Sequence, residues 1–315
     1  MHFLVTGGAG FIGSHLCEKL VAAGHGVVCL DNFDDYYDPG IKEQNLEELL
    51  HSSSFRLVRG DILDWSLLEK VFGEDRYDAV IHLAARAGVR PSIENPRLYQ
   101  KVNVEGTVNL LEWSAKKQIP KFILASSSSV YGNNKKVPFS EDDPVDFPIS
   151  PYAATKKACE LLGYTYHSLF SMSVTCLRFF TVYGPRQRPD MAIARFVRAI
   201  SEGREITVFG DGTTRRDYTY ITDILDGLIK SVERCHGYRV YNLGESRTVE
   251  LNQLVQLLEN ALGKKAKIQR KPPQPGDVRI TYADISRAKK ELDYAPAIPV
   301  EQGIRGFIEW FEQGR

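Results

Sequence analysis

A chain of 315 residues, 43% hydrophobic and 25% charged, has apolar material for one large domain or two linked ones and is neither disordered nor fibrous. Its 40 basic and 40 acidic residues cancel, which argues against nucleic acid or a membrane as partner; an anionic ligand must be held by local charges and backbone amides. Five scattered cysteines with no C-x-x-C pair argue against a disulfide framework or a metal site and for a reducing, cytoplasmic setting. No signal-peptide pattern opens the chain, and no apolar run approaches the roughly 18 residues of a spanning helix.

In chain order, short apolar runs predict strands at 2–6, 26–30, 55–58, 78–82, 121–125 and 174–179. Helical patterns fall between them at 11–23, 41–50, 65–72, 99–117 and 151–170. Repeated strand–helix units imply an α/β Rossmann fold, a doubly wound parallel sheet. Beyond it the texture changes: a helix at 191–202, a strand at 206–209, and helices at 222–234, 250–262, 286–292 and 300–313, with Pro and Gly clustered at 210–212 and 272–276. This reads as a smaller α+β domain. The expected division is 1–180 for the first domain, with a return segment near 217–243, and 181–216 plus 244–315 for the second.

Between the first strand and first helix lies Gly7-Gly8-Ala9-Gly10-Phe11-Ile12-Gly13. Glycines at this spacing let the backbone turn, approach a pyrophosphate and pack helix against strand, while the helix start offers free amides. Alone, the triplet fits a tight structural turn equally well. Asp31, closing the second strand, suits the two adenosine ribose hydroxyls and repels a 2′-phosphate, which selects NAD over NADP; Asn32 follows with no arginine. Gly60-Asp61-Ile62 and Leu83-Ala84-Ala85 end the next two strands, where adenine and the second ribose should pass.

Tyr152-Ala153-Ala154-Thr155-Lys156 opens a helix and sets a phenol and an ammonium on one face. A neighbouring cation favours the phenolate, giving a base suited to an alcohol proton. By itself the pattern also fits an exposed helix start. The fifth strand runs into four serines, Ser126 to Ser129, then Val130-Tyr131-Gly132; hydroxyls at the carboxyl end of a parallel strand face the ligand crevice, although serines are also common in turns.

Together these features resemble the extended short-chain dehydrogenase/reductase family over nearly the whole chain. The resemblance implies a Ser127, Tyr152, Lys156 triad and bound NAD, touched by Gly7, Gly10, Phe11, Ile12, Gly13, Asp31, Asn32, Asp61, Ile62, Leu83, Ala84 and Ala85 besides Tyr152 and Lys156. Arg178 to Pro185 looks like the family's segment lining nicotinamide and sugar, and Arg216 like a phosphate partner. Family dehydratases and decarboxylases usually carry an acid just before V-Y-G; Ser129 stands there, which favours an epimerase. The segments 30–39, 87–96 and 187–192 are similar to UDP-glucuronic acid 4-epimerases in particular, and Thr181 stands where UDP-glucose 4-epimerases typically have Asn.

The implied reaction inverts C4 of a UDP-sugar through a 4-keto intermediate, with UDP-glucuronic acid the favoured substrate. A UDP-glucose/UDP-galactose 4-epimerase is the nearest alternative; a UDP-glucuronate decarboxylase and a non-catalytic NAD sensor are weaker ones. Ser128 and Thr181 are expected to hold the C5 carboxylate. Arg188 is ambiguous between carboxylate and diphosphate, with the diphosphate preferred, and Arg90 is similarly ambiguous. Gly88, Val89, Met191, Val208 and Asp277 complete the expected substrate contacts. Segments 189–196 and 206–210 are expected to wall the uracil pocket, and 274–279 to touch uridine or the diphosphate. The family habit of pairing through helices 99–117 and 151–170 implies a homodimer.

Overall fold

The computed structural model describes residues 1–274 and 277–314. Seven strands form one parallel sheet: β1 (His2–Thr6), β2 (Gly26–Asp31), β3 (Phe55–Arg59), β4 (Ala79–His82), β5 (Lys121–Ser127), β6 (Ser173–Phe179) and β7 (Tyr238–Leu243). Their order is β7-β6-β5-β4-β1-β2-β3. Side chains alternate across this sheet. Phe3, Val5, Ile81 and Ile123 enter the core on one face, and Leu4, Val80, Phe122 and Leu124 the core on the other. Helices cover both faces, which explains why the strands read as continuous apolar runs.

The order reverses between β1 and β4, and ligands of such sheets bind outside the carboxyl ends at that point. The loops after β1, β2 and β4 converge there.

β7 was not expected as a strand. Its sequence, Tyr-Arg-Val-Tyr-Asn-Leu, mixes polar and apolar residues because it forms the sheet's edge, paired only with β6. The expected helix at 99–117 is three pieces: Pro96–Tyr99, a π-helical turn at Gln100–Glu105, and Gly106–Lys116. In the π turn, Asn103 accepts from Arg86 N (2.8 Å) and donates to Arg86 O and Thr155 Oγ1 (both 3.0 Å). Such widened turns recur at functional sites. A short helix at Val89–Glu94 was also unforeseen, since Pro91 masks its pattern.

The helices Ile221–Glu233 and Ser286–Leu292 pack into the sheet core that holds Phe3 and Val5, while a third core forms around Val197, Leu254, Leu258 and Phe307. Helices Ala192–Ser201, Leu251–Leu262 and Val300–Glu312 surround it. Strand Glu205–Phe209 pairs in parallel with Lys267–Lys271, a strand hidden in sequence by its unbroken exposure and basic side chains. The loop after Thr181–Tyr183 is pinned to the first helix, Phe11–Ala22. His15 Nε2 lies 3.0 Å from Pro185 O, and Arg186 donates to Glu18 at 2.6 Å.

Candidate functional site

The turn after β1 needs its glycines. Gly7 has φ 70°, and a Cβ there would sit 2.6 Å from the Ala84 nitrogen; a Cβ on Gly13 would strike the Gly7 carbonyl. Gly10 caps the first helix without a side-chain bond, so first-turn amides are left for an anion. Asp31 accepts from Ala9 N (3.0 Å) and Phe33 N (2.9 Å), and burial raises its pKa despite these bonds. Asn32 donates to Asp61 at 2.9 Å, tying the ends of β2 and β3 together.

These residues open onto a cavity of about 530 Å³. Its wall includes Gly7, Gly10, Phe11, Ile12, Gly13, Asp31, Asn32, Asp61 and Ile62, then Leu83, Ala84 and Ala85. The same cavity is lined by Ser127, Ser128, Tyr152, Lys156, Thr181, Arg188 and Met191. The glycine turn and the three hydroxyl and amine groups, far apart in sequence, therefore share one space.

The helix Pro151–Phe170 is started by Ser150, whose hydroxyl accepts from Ala153 N at 3.1 Å, with proline at its first position. Tyr152, Lys156 and Glu160 follow at four-residue steps on one face. That face grips the end of β5 residue by residue. Lys156 Nζ donates to Ala125 O (2.7 Å), and Ser126 Oγ donates to Glu160 Oε1 (2.6 Å). The next residue, Ser127, accepts from Ser129 N and donates to Ser129 Oγ, both at 3.1 Å. Tyr152 is half-buried, its ring edge-on to Tyr99 at 6.3 Å.

Sequence reading missed the support beneath this site. Glu160 is 1% exposed and receives both Nε (2.8 Å) and Nη2 (2.9 Å) of Arg178, itself 2% exposed. Burial alone would raise the Glu160 pKa, but Arg178 outweighs it and holds the carboxyl below its usual range. Arg178 was expected to begin the cavity lining; instead it is buried in this pair, and the lining starts at Phe179. Its Nη1 donates to Tyr131 (3.0 Å), which donates to Asn242 on β7 (2.7 Å). A buried acid–base pair i, i+18 apart leaves no periodic signal in sequence.

A second cavity of about 250 Å³ adjoins the first, and Thr181 and Met191 line both. Arg90, Arg216 and Asp277 bound it, with Thr207 and Phe209 from the strand Glu205–Phe209. Val208 faces the opposite way into the core at 1% exposure, as alternation along a strand requires. Within the expected 206–210 wall, Thr207 and Phe209 are thus the lining side chains. Gly88 and Val89 begin the short helix whose next residue is Arg90. Arg90 pairs with Asp277 at 2.8 Å. Arg216 has no acidic partner among the described residues; its Nη1 donates to Arg215 O, and burial lowers its pKa. A partly buried guanidinium with no carboxylate in hydrogen-bond contact is suited to an anion. Of the 274–279 segment, Pro275 and Gly276 lie outside the described residues.

The model of the GDP-mannose 4,6 dehydratase family matches residues 4–307. UDP-glucuronate 4-epimerase of Thermodesulfobacterium geofontis is 46% identical, covering 99% of this chain and 96% of that one. The structure of UDP-glucuronic acid 4-epimerase from Bacillus cereus in complex with UDP-glucuronic acid and NAD is similar at TM-score 0.93 and 38% identity, with 100% of both chains covered. That of UDP-glucose 4-epimerase from Thermotoga maritima with UDP-glucose gives TM-score 0.92 and 35% identity, covering 100% of this chain and 99% of that one. With nearly its whole length matched, the chain belongs to the GDP-mannose 4,6 dehydratase family of extended short-chain dehydrogenase/reductases.

Proposed function

We propose that the protein is an NAD-dependent isomerase, a UDP-glucuronate 4-epimerase that inverts C4 through a 4-keto sugar. The observation that carries this reading is the single cavity shared by the glycine turn, Asp31, Ser127, Tyr152 and Lys156. The residues suit NAD: close backbone packing at Gly7 and Gly13 leaves the uncapped helix start open to a pyrophosphate, and Asp31 ends β2 as a ribose acceptor. When bound, NAD would supply the acceptor and donor of the C4 hydride.

The chain's own groups handle the proton and the geometry. Tyr152 takes the 4-hydroxyl proton as base and returns it as acid, with Ser127 sharing the hydrogen bond. Lys156, anchored on Ala125 O, keeps a cation beneath the phenol. No carboxyl stands at Ser129 to promote elimination. A 4-ketone lies β to the C5 carboxylate and invites loss of CO₂, so the carboxylate must be held out of alignment with the carbonyl. Ser128 and Thr181 are assigned this task. Arg188 is assigned to it too, rather than to the diphosphate, because it lines the reaction cavity while Arg90 and Arg216 bound the second one. The diphosphate and uridine are assigned to that second cavity, with Arg216 as phosphate partner.

This reading gives 1–180 and the return segment 217–243 to the cofactor, and 181–216 with 244–315 to the nucleotide sugar. It places the enzyme in the cytoplasm, where five buried free thiols stay reduced. It also makes the enzyme a homodimer, supported by Leu161, Tyr164, Leu169 and Phe170, all more than half exposed on the helix Pro151–Phe170. A monomer in sedimentation equilibrium at micromolar concentration would remove that part.

Purified protein given UDP-glucuronic acid without added NAD, followed by proton NMR, should form UDP-galacturonic acid with little UDP-pentose. Conversion of UDP-glucose alone would instead favour the neutral-sugar epimerase, a reading supported by the likeness to the Thermotoga enzyme.

A further inference from the structure

Arg188 already has an anion. Its Nε and Nη2 donate to the Asp190 carboxylate at 2.9 and 2.8 Å, a two-toothed grip that fixes the guanidinium plane. Nη1 makes no hydrogen bond among the described residues. The Tyr36 hydroxyl donates to the same carboxylate at 3.4 Å. The Tyr36 ring lies 5.3 Å from the Arg188 guanidinium and 5.1 Å from that of Arg86, and Arg86 is itself paired with Asp34. Burial lowers the pKa of Arg188, but Asp190 outweighs it and the result stands above the usual value. Three loops, after β2, after β4 and after Thr181–Tyr183, thus meet on one tyrosine at the cavity wall.

We propose that Asp190 is an internal counter-anion, held with Arg188 on the Tyr36 platform, and that this pair sets how sharply the sugar site distinguishes a uronate from a neutral hexose. The proposal rests on the UDP-sugar reading above. UDP-glucuronate and UDP-glucose share uridine and diphosphate and differ only at C6, so the charge and the hydrogen bonds offered around C6 separate them. A bare guanidinium there would attract the carboxylate and leave a desolvated cation beside a hydroxymethyl group. With Asp190 in place the cation is largely compensated, while Nη1 remains available to the sugar. The site then holds a uronate by directed hydrogen bonds from Arg188, Ser128 and Thr181 rather than by net charge, and tolerates the neutral sugar. Asp190 and Tyr36 are positioning residues in this scheme.

The test is a ratio of dissociation constants, measured by calorimetry in a Tyr152→Phe background with NAD bound. Asp190→Asn should raise the preference for UDP-glucuronate over UDP-glucose about tenfold, a modest fraction of what an uncompensated charge supplies at low dielectric. Adding Arg188→Gln should abolish that gain. Asp190 also lines the second cavity, so UDP alone should tighten in Asp190→Asn, and the ratio of the two sugars cancels that shared part. An unchanged or smaller ratio in Asp190→Asn overturns the proposal, as does a gain that survives Arg188→Gln. Equal tightening of both sugars and of UDP overturns it as well, and moves Arg188 to the diphosphate. Because the readout is binding, it stands apart from turnover: a protein that binds both sugars yet fails to epimerise UDP-glucuronate counts against the proposed function and leaves the ratio to be judged by itself.

Discussion

Glu160 and Arg178 face each other in the core with two hydrogen bonds of 2.8 and 2.9 Å, directly behind the strand end that carries Ser127. The pair joins the helix bearing Tyr152 and Lys156 to β6, and through Tyr131 and Asn242 to β7. Buried ion pairs cost much desolvation and contribute little net stability, but removing one partner is severe. Glu160→Gln should therefore lower unfolding free energy by about 3–5 kcal/mol, as for other half-broken buried pairs. The double variant Glu160→Leu with Arg178→Met should recover most of that loss in urea titrations. Its kcat should nonetheless stay depressed, because Ser126 loses its acceptor and the helix its register on β5. Full recovery of kcat in the double variant would show that the pair serves stability alone.

Tyr152→Phe should cut turnover by about 100-fold or more, the lower end of what general acid–base catalysis contributes. Lys156→Met removes the ammonium and also orphans the Ala125 carbonyl, so its loss of activity should come with a lower thermal midpoint, whereas Tyr152→Phe should leave the midpoint near that of the parent. Stopped assays and thermal melts on the same preparations check both. Near-parental turnover in Tyr152→Phe would reassign the base.

Most of this site could be read from sequence because its chemistry is local. The glycine turn, Asp31 and the Tyr-x-x-x-Lys face each follow from spacing along one element, and six of the seven sheet strands announce themselves as apolar runs. What stayed hidden depends on long-range pairing. β7 is an edge strand whose apolar signal is broken by Arg239 and Asn242, and Lys267–Lys271 is exposed throughout. The π turn at Gln100–Glu105 keeps helical periodicity in sequence, so only the Asn103 bonds to Arg86 and Thr155 reveal it. Asp190 and Tyr36 lie in loops 154 residues apart, and no local rule joins them.

Ser128→Ala and Thr181→Ala, singly and together, should raise the share of UDP-pentose among products, as the carboxylate gains freedom to align with the 4-ketone. The double variant should show the largest share. Product ratios by proton NMR decide this, and a ratio equal to the parent's in all three variants would remove these hydroxyls from that role.

His82 is fully enclosed between Thr6 (2.7 Å) and Thr107 (3.0 Å), and burial, helped by Lys156, pushes its pKa down to about 3. The imidazole is thus neutral in the folded protein, whereas the unfolded chain takes up a proton near pH 6.5. Its contribution to stability is complete above about pH 6.5 and is lost as pH falls toward 3. Thermal midpoints measured from pH 7 to pH 4 should fall more steeply for the parent than for His82→Gln. Parallel slopes would exclude His82 as a source of acid sensitivity.

The late position of β7 has a consequence for how the chain is made. A ribosome finishes β6 at Phe179, then must add a substantial part of the second lobe before Tyr238–Leu243 can cover it. During that interval β6 is an open, apolar sheet edge, the kind of surface that pairs with other nascent chains. Slow codons between residues 180 and 237 should lengthen the exposure and depress soluble yield, while the same codons after residue 243 should not. The strand that closes this edge of the sheet is thus also the one on which safe synthesis waits.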